Sequence, residues 1–159
     1  MREPVKTHLP AVNAPLEWAT MADGILYTAQ IPNREDGSIE QGDITAQAEL
    51  TLGNLRRTVE AAGGTMDDVT QVIVYLPDPA DFPGMNAVYA KAFNKPYPNR
   101  ATIIAKLMVP GARIEILAYA HVGRRSAAAA PKRARAKKAA PKVKARAKSK
   151  RARARPRRR

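Results

Sequence analysis

Val69-Thr70-Gln71-Val72-Ile73-Val74-Tyr75-Leu76 carries the fold. Its β-branched and aromatic residues suit a pleated strand better than a helix. Side chains alternate across a strand, so Val72, Val74 and Leu76 fall on one face and Ile73 and Tyr75 on the other. Both faces are apolar, and both need cover. On the N-terminal side, Asp43 is placed to cap a helix over residues 44–62. There Ala48, Leu52, Leu55, Val59 and Ala62 recur at spacings of four and three and make one stripe. Gly63-Gly64 supplies the stop. On the C-terminal side a second helix is expected after Pro83, with Phe82, Met85, Asn86, Tyr89 and Phe93 on one stripe.

Thr102 to Leu107 and Ile114 to His121 read as two closing strands around a turn at Pro110-Gly111. Trp18 to Met21 and Gly24 to Ile31 read as a hairpin through Ala22-Asp23-Gly24, ended by Pro32-Asn33. Residues 1–15, interrupted by proline, are expected to reach a domain edge as a loose arm. The order ββαβαββ is an α+β fold, a single layer of two helices on a sheet. Two helices cover one sheet face, so a second copy of the same chain is the economical cover for the other.

Charge divides the chain in two. Its formal net charge is +14 over 159 residues, yet residues 1–123 hold all 14 Asp and Glu against ten Lys and Arg, a net of −4. Residues 124–159 hold the other 18 Lys and Arg and no acid. About 120 residues suffice for one compact domain with its own core. The remainder has 12 Ala among its 36 residues and no large apolar group beyond Val143. Such a segment cannot build a core and is expected to be disordered when free. The organisation is therefore a domain over 1–123 and a Lys/Arg/Ala/Pro-rich basic tail over 124–159.

No apolar run approaches the roughly 20 residues of a membrane span. Met1-Arg2-Glu3-Pro4-Val5-Lys6 lacks the apolar run of a secretory signal. A chain without cysteine has no disulfide, no thiolate nucleophile and no Cys-ligated zinc. His8 and His121 lie far apart without a carboxylate pattern beside them, so no metal site is expected. A cytoplasmic protein is the plain expectation.

Three side chains stand out. Arg100 follows Tyr97-Pro98-Asn99, and Pro98 holds its neighbours extended, so the guanidinium leaves from a constrained backbone. The plain alternative is a solvated charge at a strand start. Glu115 alternates with Ile114 and Ile116 and shares a face with Arg113, Leu117 and Tyr119. Its alternative is a surface cross-strand pair with a Lys or Arg. Asn86, on an apolar stripe, is costly without partners, and its alternative is a core amide bonded to backbone. Singly, none of these decides a function.

Their order in the chain says more. Thr28-Ala29-Gln30-Ile31-Pro32, Asn54 with Glu60-Ala61-Ala62-Gly63, Val74-Tyr75-Leu76, Asp81-Phe82 with Asn86, Tyr89 and Phe93, Pro98-Asn99-Arg100 and Ile114-Glu115-Ile116 follow one another. This series resembles the RidA (YjgF) family of enamine/imine deaminases over about residues 12–122. The resemblance implies a chorismate-mutase-like fold and a homotrimer with a barrel-like core and three clefts between subunits. It implies Arg100 as the grip on a substrate carboxylate and Glu115 as the handler of the hydrolytic water. Thr28, Asn86 and Thr102 are implied as further substrate-binding positions. Two departures stand out: the family's aromatic Tyr near the first strand falls at Leu16 or Glu17, and Ala29 replaces a Gly.

The implied substrates are 2-aminoacrylate and similar enamines, which tautomerise to 2-imino acids and hydrolyse to a 2-oxo acid and ammonia. A guanidinium offers two parallel donors to the carboxylate, fixing its plane as Lys does not. Water beside Glu115 then meets the C=N carbon, and the carboxylate accepts and returns a proton. An imine is already electrophilic, so no metal or organic cofactor is expected.

The tail has the Ala-Lys-Pro texture of histone H1-like bacterial proteins, a likeness of composition only. Its cations, Lys132, Arg133, Lys137, Lys138, Lys142 and Lys144 among them, suit polyphosphate through counterion release. Without aromatics or an ordered reading element the expected partner is DNA or RNA of any sequence, with nucleoid association as the consequence. Three tails on a trimer add avidity. A solvated extension without a role is one alternative; contact with anionic membrane is another, weakened by the lack of an amphipathic face. Two functions compete: a deaminase that the tail carries to nucleic acid, and a nucleoid- or RNA-associated protein that uses a catalytically weak trimer as a multivalent hub. A sensor that binds 2-oxo acids at Arg100 without turnover is a third. The full chain is expected to retard duplex DNA in a gel, with affinity falling about 10³-fold or more between 50 and 200 mM salt. Cutting after residue 123 should abolish the shift; retardation by the body alone would remove the tail from binding.

Overall fold

In the computed structural model, which describes residues 1–123, Asp23 and Gly24 both take positive φ and close a two-residue turn. The turn joins β2 (Ala19–Ala22) to β3 (Ile25–Gln30) as an antiparallel hairpin, as expected. A short β1 (Glu3–Pro4) pairs with the outer edge of β2, where a proline costs no ladder bond. The central strand β4 (Val69–Leu76), β5 (Asn99–Ile104) and β6 (Glu115–His121) complete one six-stranded sheet in the order β1-β2-β3-β6-β4-β5. The pairings are antiparallel except β4 with β5, which is parallel. The sheet is therefore mixed.

Helix α1 (Ile44–Ala61) starts at Asp43, whose carboxylate accepts from the Ala46 amide at 2.9 Å. It stops at Gly63, at φ +84°, with the Gly64 amide returning to the Val59 carbonyl at 2.9 Å. The expected apolar stripe of Ala48, Leu52, Leu55 and Val59 is buried against the sheet. Beside it runs a second buried stripe that is polar: Gln47, Thr51, Asn54 and Thr58. Each of these side chains is engaged. Gln47 donates to the Glu40 and Gly111 carbonyls, at 2.7 and 2.9 Å, and accepts from the Arg113 amide at 2.7 Å. Asn54 donates to the Ile31 and Asn33 carbonyls, Thr58 accepts from Gln30, and Thr51 donates to the Gln47 carbonyl.

Three expectations need correction. In α2 (Phe82–Ala92) the buried stripe is Met85, Val88 and Tyr89, continued by Phe93, while Phe82 and Asn86 are exposed. Steps of three and four from Met85 reach 88, 89, 92 and 93, so the inner face is rotated away from Phe82 and Asn86. Nor do the last two strands form a hairpin. β5 starts at Asn99 rather than Thr102 and lies parallel to β4, with α2 supplying the crossover. β6 is inserted between β3 and β4. The N-terminal arm, finally, is docked rather than loose. The Val5 amide bonds to the Ala19 carbonyl at 2.9 Å, Leu9 is buried, the Trp18 indole donates to the Pro10 carbonyl at 2.9 Å, and His8 meets Asn54 at 3.2 Å.

Both helices lie on one face of the sheet. Beneath them sit Leu26, Ile116, Ala118, Val72, Val74 and Leu76. Val69 joins this set although it is three residues from Val72, because a bulge at Thr70 inserts one residue opposite β6 and inverts the alternation. The other face carries Tyr27, Ile73, Tyr75, Ile103, Leu117 and Tyr119, with Tyr27 39% and Ile103 43% exposed. The two-sided apolar character of the central strand is thus real, and among the described residues only one side is covered. Asn54→Ala should lower stability by about 2–3 kcal/mol, since it strands two buried carbonyls. Denaturant unfolding at fixed protein concentration measures this; a loss under about 0.5 kcal/mol would show that water replaces the amide.

Candidate functional site

β5 presents Arg100 on the helix-covered side of the sheet, in register with Val72 of β4. There Arg100 Nη2 donates to Asn86 Oδ1 at 2.9 Å. The guanidinium carbon lies 4.5 Å from the ring centroid of Tyr89 and 5.7 Å from that of Phe82. Three residues of α2 thus seat the cation through one hydrogen bond and two aromatic faces. A guanidinium has five N–H groups, and Asn86 takes one of them. Tyr89 is a neutral phenol: burial pushes its hydroxyl up to about 12, against the opposing charge of Arg100. Thr102, two residues along β5 and in register with Val74, lies on the same side as Arg100.

Glu115 opens β6 opposite Tyr75, on the face the helices leave open. It forms no salt bridge among the described residues. Burial raises its carboxyl above the ordinary range, with no compensating cation among the causes. On the same face a shallow cleft of about 230 Å³ runs between Glu17, Thr20, Tyr27, Thr28, Ala29 and the Leu117–Tyr119 segment. A wider cleft of about 490 Å³ adjoins it, sharing Glu17 and Thr20 and including Leu16. Leu16 and Glu17, where the aromatic Tyr was expected, therefore border an open recess.

One chain brings Arg100, Asn86 and Thr102 together. It places Glu115 on the opposite side of the sheet. Thr28 is buried, and its hydroxyl is engaged twice: it donates to the Trp18 carbonyl and accepts from Gln30 Nε2, each at 2.7 Å. Asn86 is neither a core amide nor bonded to backbone; it is exposed and turned to Arg100. Lys132, Arg133, Lys137, Lys138, Lys142 and Lys144 lie outside the described residues. Among the described residues no group of three or more His, Asp or Glu is arranged to hold a metal ion.

Two features escaped the reading of the sequence. Tyr89 and Phe82 serve as the floor under Arg100; their aromatic spacing from Asn86 was visible, but not which strand would lie over it. Asp81, almost wholly buried, receives both arms of the Arg113 guanidinium, Nε at 2.9 Å and Nη2 closer still. This pair raises Arg113 above its ordinary range. Thirty-two residues separate the partners, and no local spacing points from one to the other.

Residues 6–122 match the family described as Endoribonuclease L-PSP. Among solved structures the chain is similar to RidA of an Antarctic Psychrobacter, at 28% identity and a TM-score of 0.71, covering 76% of this chain and 99% of that one. It is similar to the Escherichia coli YjgF gene product at 30% identity and a TM-score of 0.70, covering 75% and 98%. The E. coli TdcF structure, solved with bound serine, matches at 28% identity and a TM-score of 0.69, again covering 75% and 98%.

The raised Glu115 carboxyl makes a stability prediction. The unfolded chain ionises this group near its ordinary 4.5 and the folded chain ionises it higher. Between those values the folded state holds the extra proton, so its contribution to stability is present at lower pH and is lost as pH rises through the folded value. Glu115→Gln, which stays neutral, should raise the melting midpoint at pH 7 relative to the parent and leave it nearly unchanged at pH 4. Equal midpoints at both pH values would show that the carboxylate is fully solvated.

Proposed function

The chain belongs to the Endoribonuclease L-PSP family, that of YjgF and RidA, and on this premise we propose that it is an enamine/imine deaminase. It hydrolyses 2-aminoacrylate-type intermediates to 2-oxo acids and ammonia in clefts of a homotrimer. The observation that carries this reading is the seat of Arg100. Among the described residues, Asn86 and the Tyr89 ring hold the guanidinium while leaving most of its donors free, an arrangement suited to a small carboxylate. TdcF holds serine, a ligand of that class.

Arg100 and Glu115 act on one substrate only if a second copy supplies the missing half. The uncovered apolar face gives that copy its binding energy, at roughly 25 cal/mol for each Å² of apolar surface removed from water. One subunit then contributes Arg100, Asn86 and Thr102, and its neighbour contributes Glu115 and the recess walled by Thr28, Ala29 and Glu17. The enamine tautomerises to a 2-imino acid, and Arg100 fixes the carboxylate plane. A water beside Glu115 gives up a proton as its oxygen bonds to the C=N carbon. The proton passes to the nitrogen and leaves a carbinolamine; its hydroxyl proton then follows to the nitrogen through Glu115, the C–N bond breaks as the C=O bond forms, and ammonia leaves with a 2-oxo acid behind. Orientation of this kind contributes several of the roughly 7–11 kcal/mol available to a well-placed reactant pair. Burial that raises Glu115 brings it nearer the pH at which a carboxylate both takes and returns a proton. Leu16 and Glu17 in place of an aromatic hydroxyl alter the wall of the recess and so the range of substrates accepted.

The tail adds non-specific DNA or RNA binding, with the phosphate-directed cations between Lys132 and Lys144 as its first contacts, and leaves the chemistry unchanged. Ammonia release from freshly generated 2-aminoacrylate is the test, run on the full chain and on residues 1–123. Both should be active, and Arg100→Ala should lose at least about 10²-fold in kcat/KM while remaining trimeric. Silence of both wild-type forms, with a salt-sensitive shift of DNA that needs the tail, would turn the reading to the nucleic-acid hub. Undiminished turnover by Arg100→Ala would remove Arg100 from the mechanism.

A further inference from the structure

Five of the ten residues that join β5 to β6 are exposed, Met108 at 93%, and the segment delivers the chain to Glu115. A loop so exposed does not by itself hold a side chain to the tolerance that proton transfer needs. Its last residues, however, are tied at three points. Gln47, fully buried on α1, donates to the Gly111 carbonyl at 2.9 Å and accepts from the Arg113 amide at 2.7 Å. The Arg113 side chain forks onto both oxygens of Asp81, immediately before α2. Ile114, between Arg113 and Glu115, is 1% exposed.

Asp81 is 3% exposed, and Arg113 is its one side-chain partner among the described residues. A buried carboxylate without its cation is strongly unfavourable, so this contact persists whenever the domain is folded. The fork also fixes direction: two parallel bonds define the plane of the guanidinium, where an ammonium defines a distance only. The backbone of Arg113 is thereby held from its amide and from its side chain at once. Glu115 follows two residues later, with a buried isoleucine as the link.

We propose that Arg113, clamped between Asp81 and Gln47, is the positioning residue for Glu115. The proposal rests on the deaminase reading for its catalytic meaning and on the contacts above for its structural meaning. It touches no substrate; it sets where the carboxylate that handles water begins. Asp81 also immediately precedes the helix that seats Arg100.

Arg113→Lys keeps a cation on Asp81, so the domain folds, but it gives up the fork. It is expected to lower kcat by about tenfold per pyruvate-binding site, the sites being counted by calorimetry. Pyruvate affinity and site number should stay within about twofold of wild type, since the Arg100 seat is untouched. Arg113→Ala should fall further. Wild-type kcat in Arg113→Lys overturns the proposal, and so does a fall in kcat matched by an equal loss of pyruvate sites, which would mean folding alone. Amide hydrogen exchange at Glu115 and Ile116 needs no turnover and should quicken at least about tenfold in Arg113→Lys. An unchanged exchange rate overturns the positioning role whatever the activity. A wild-type chain that releases no ammonia sinks the deaminase reading instead and leaves the exchange result to judge the clamp.

Discussion

A sheet whose middle strands are apolar on both faces has to be covered twice, and the described residues carry helices enough for one side. That constraint orders the rest of the molecule. On the covered side, Val72, Val74, Leu76 and Ile116 are sealed under α1 and α2. On the other, Tyr27, Tyr75, Tyr119 and Ile103 make a surface whose apolar content is unusual for a face left in water. The two candidate chemical groups divide along the same boundary, Arg100 with the helices and Glu115 with the open face. Under the proposed assembly, the association that removes the open face from water is the same event that joins the two halves of the cleft.

The helix that covers the sheet does a second job. Gln47, Thr51, Asn54 and Thr58 form a polar stripe of zero to 1% exposure alongside the apolar one. An amide buried without partners is costly, so Gln47 and Asn54 each commit a loop to a position, while Thr51 bonds back within the helix and Thr58 meets Gln30 of β3. Gln47 holds the residues before β6, and Asn54 holds the segment after β3. Thr58 and Gln30 support Thr28, whose hydroxyl closes onto Trp18. Two loops are thus tied by side-chain bonds into one helix.

Charge separates the two parts of the chain along the sequence. The domain is mildly acidic and takes its cations into specific seats: Arg100 over aromatic rings, Arg113 on Asp81, Arg57 on Glu35 and Arg34 on Glu40. The last two lie at the surface and contribute little to stability, while the first two rest on buried partners, Tyr89 and Asp81. Residues 124–159 hold 18 Lys and Arg and no acid.

What could be read from the chain alone was what depends on neighbours a few positions apart. The cap at Asp43, the stripe from Ala48 to Val59, the stop at Gly63, the Asp23-Gly24 turn and the two-faced strand at Val72–Leu76 all rest on periods of two or of three to four, which are local. The motif series from Thr28 to Glu115 carried the resemblance to a family and, with it, the candidate Arg and Glu. The tertiary structure alone decided that β6 inserts between β3 and β4, that β5 runs parallel to β4, and that α2 turns Asn86 outward to meet Arg100. It alone joined Asp81 to Arg113 across 32 positions. Each of these contacts is set by which strand lies beside which. Strand adjacency is fixed by the summed burial of the whole sheet under two helices, a quantity that no window of the sequence contains.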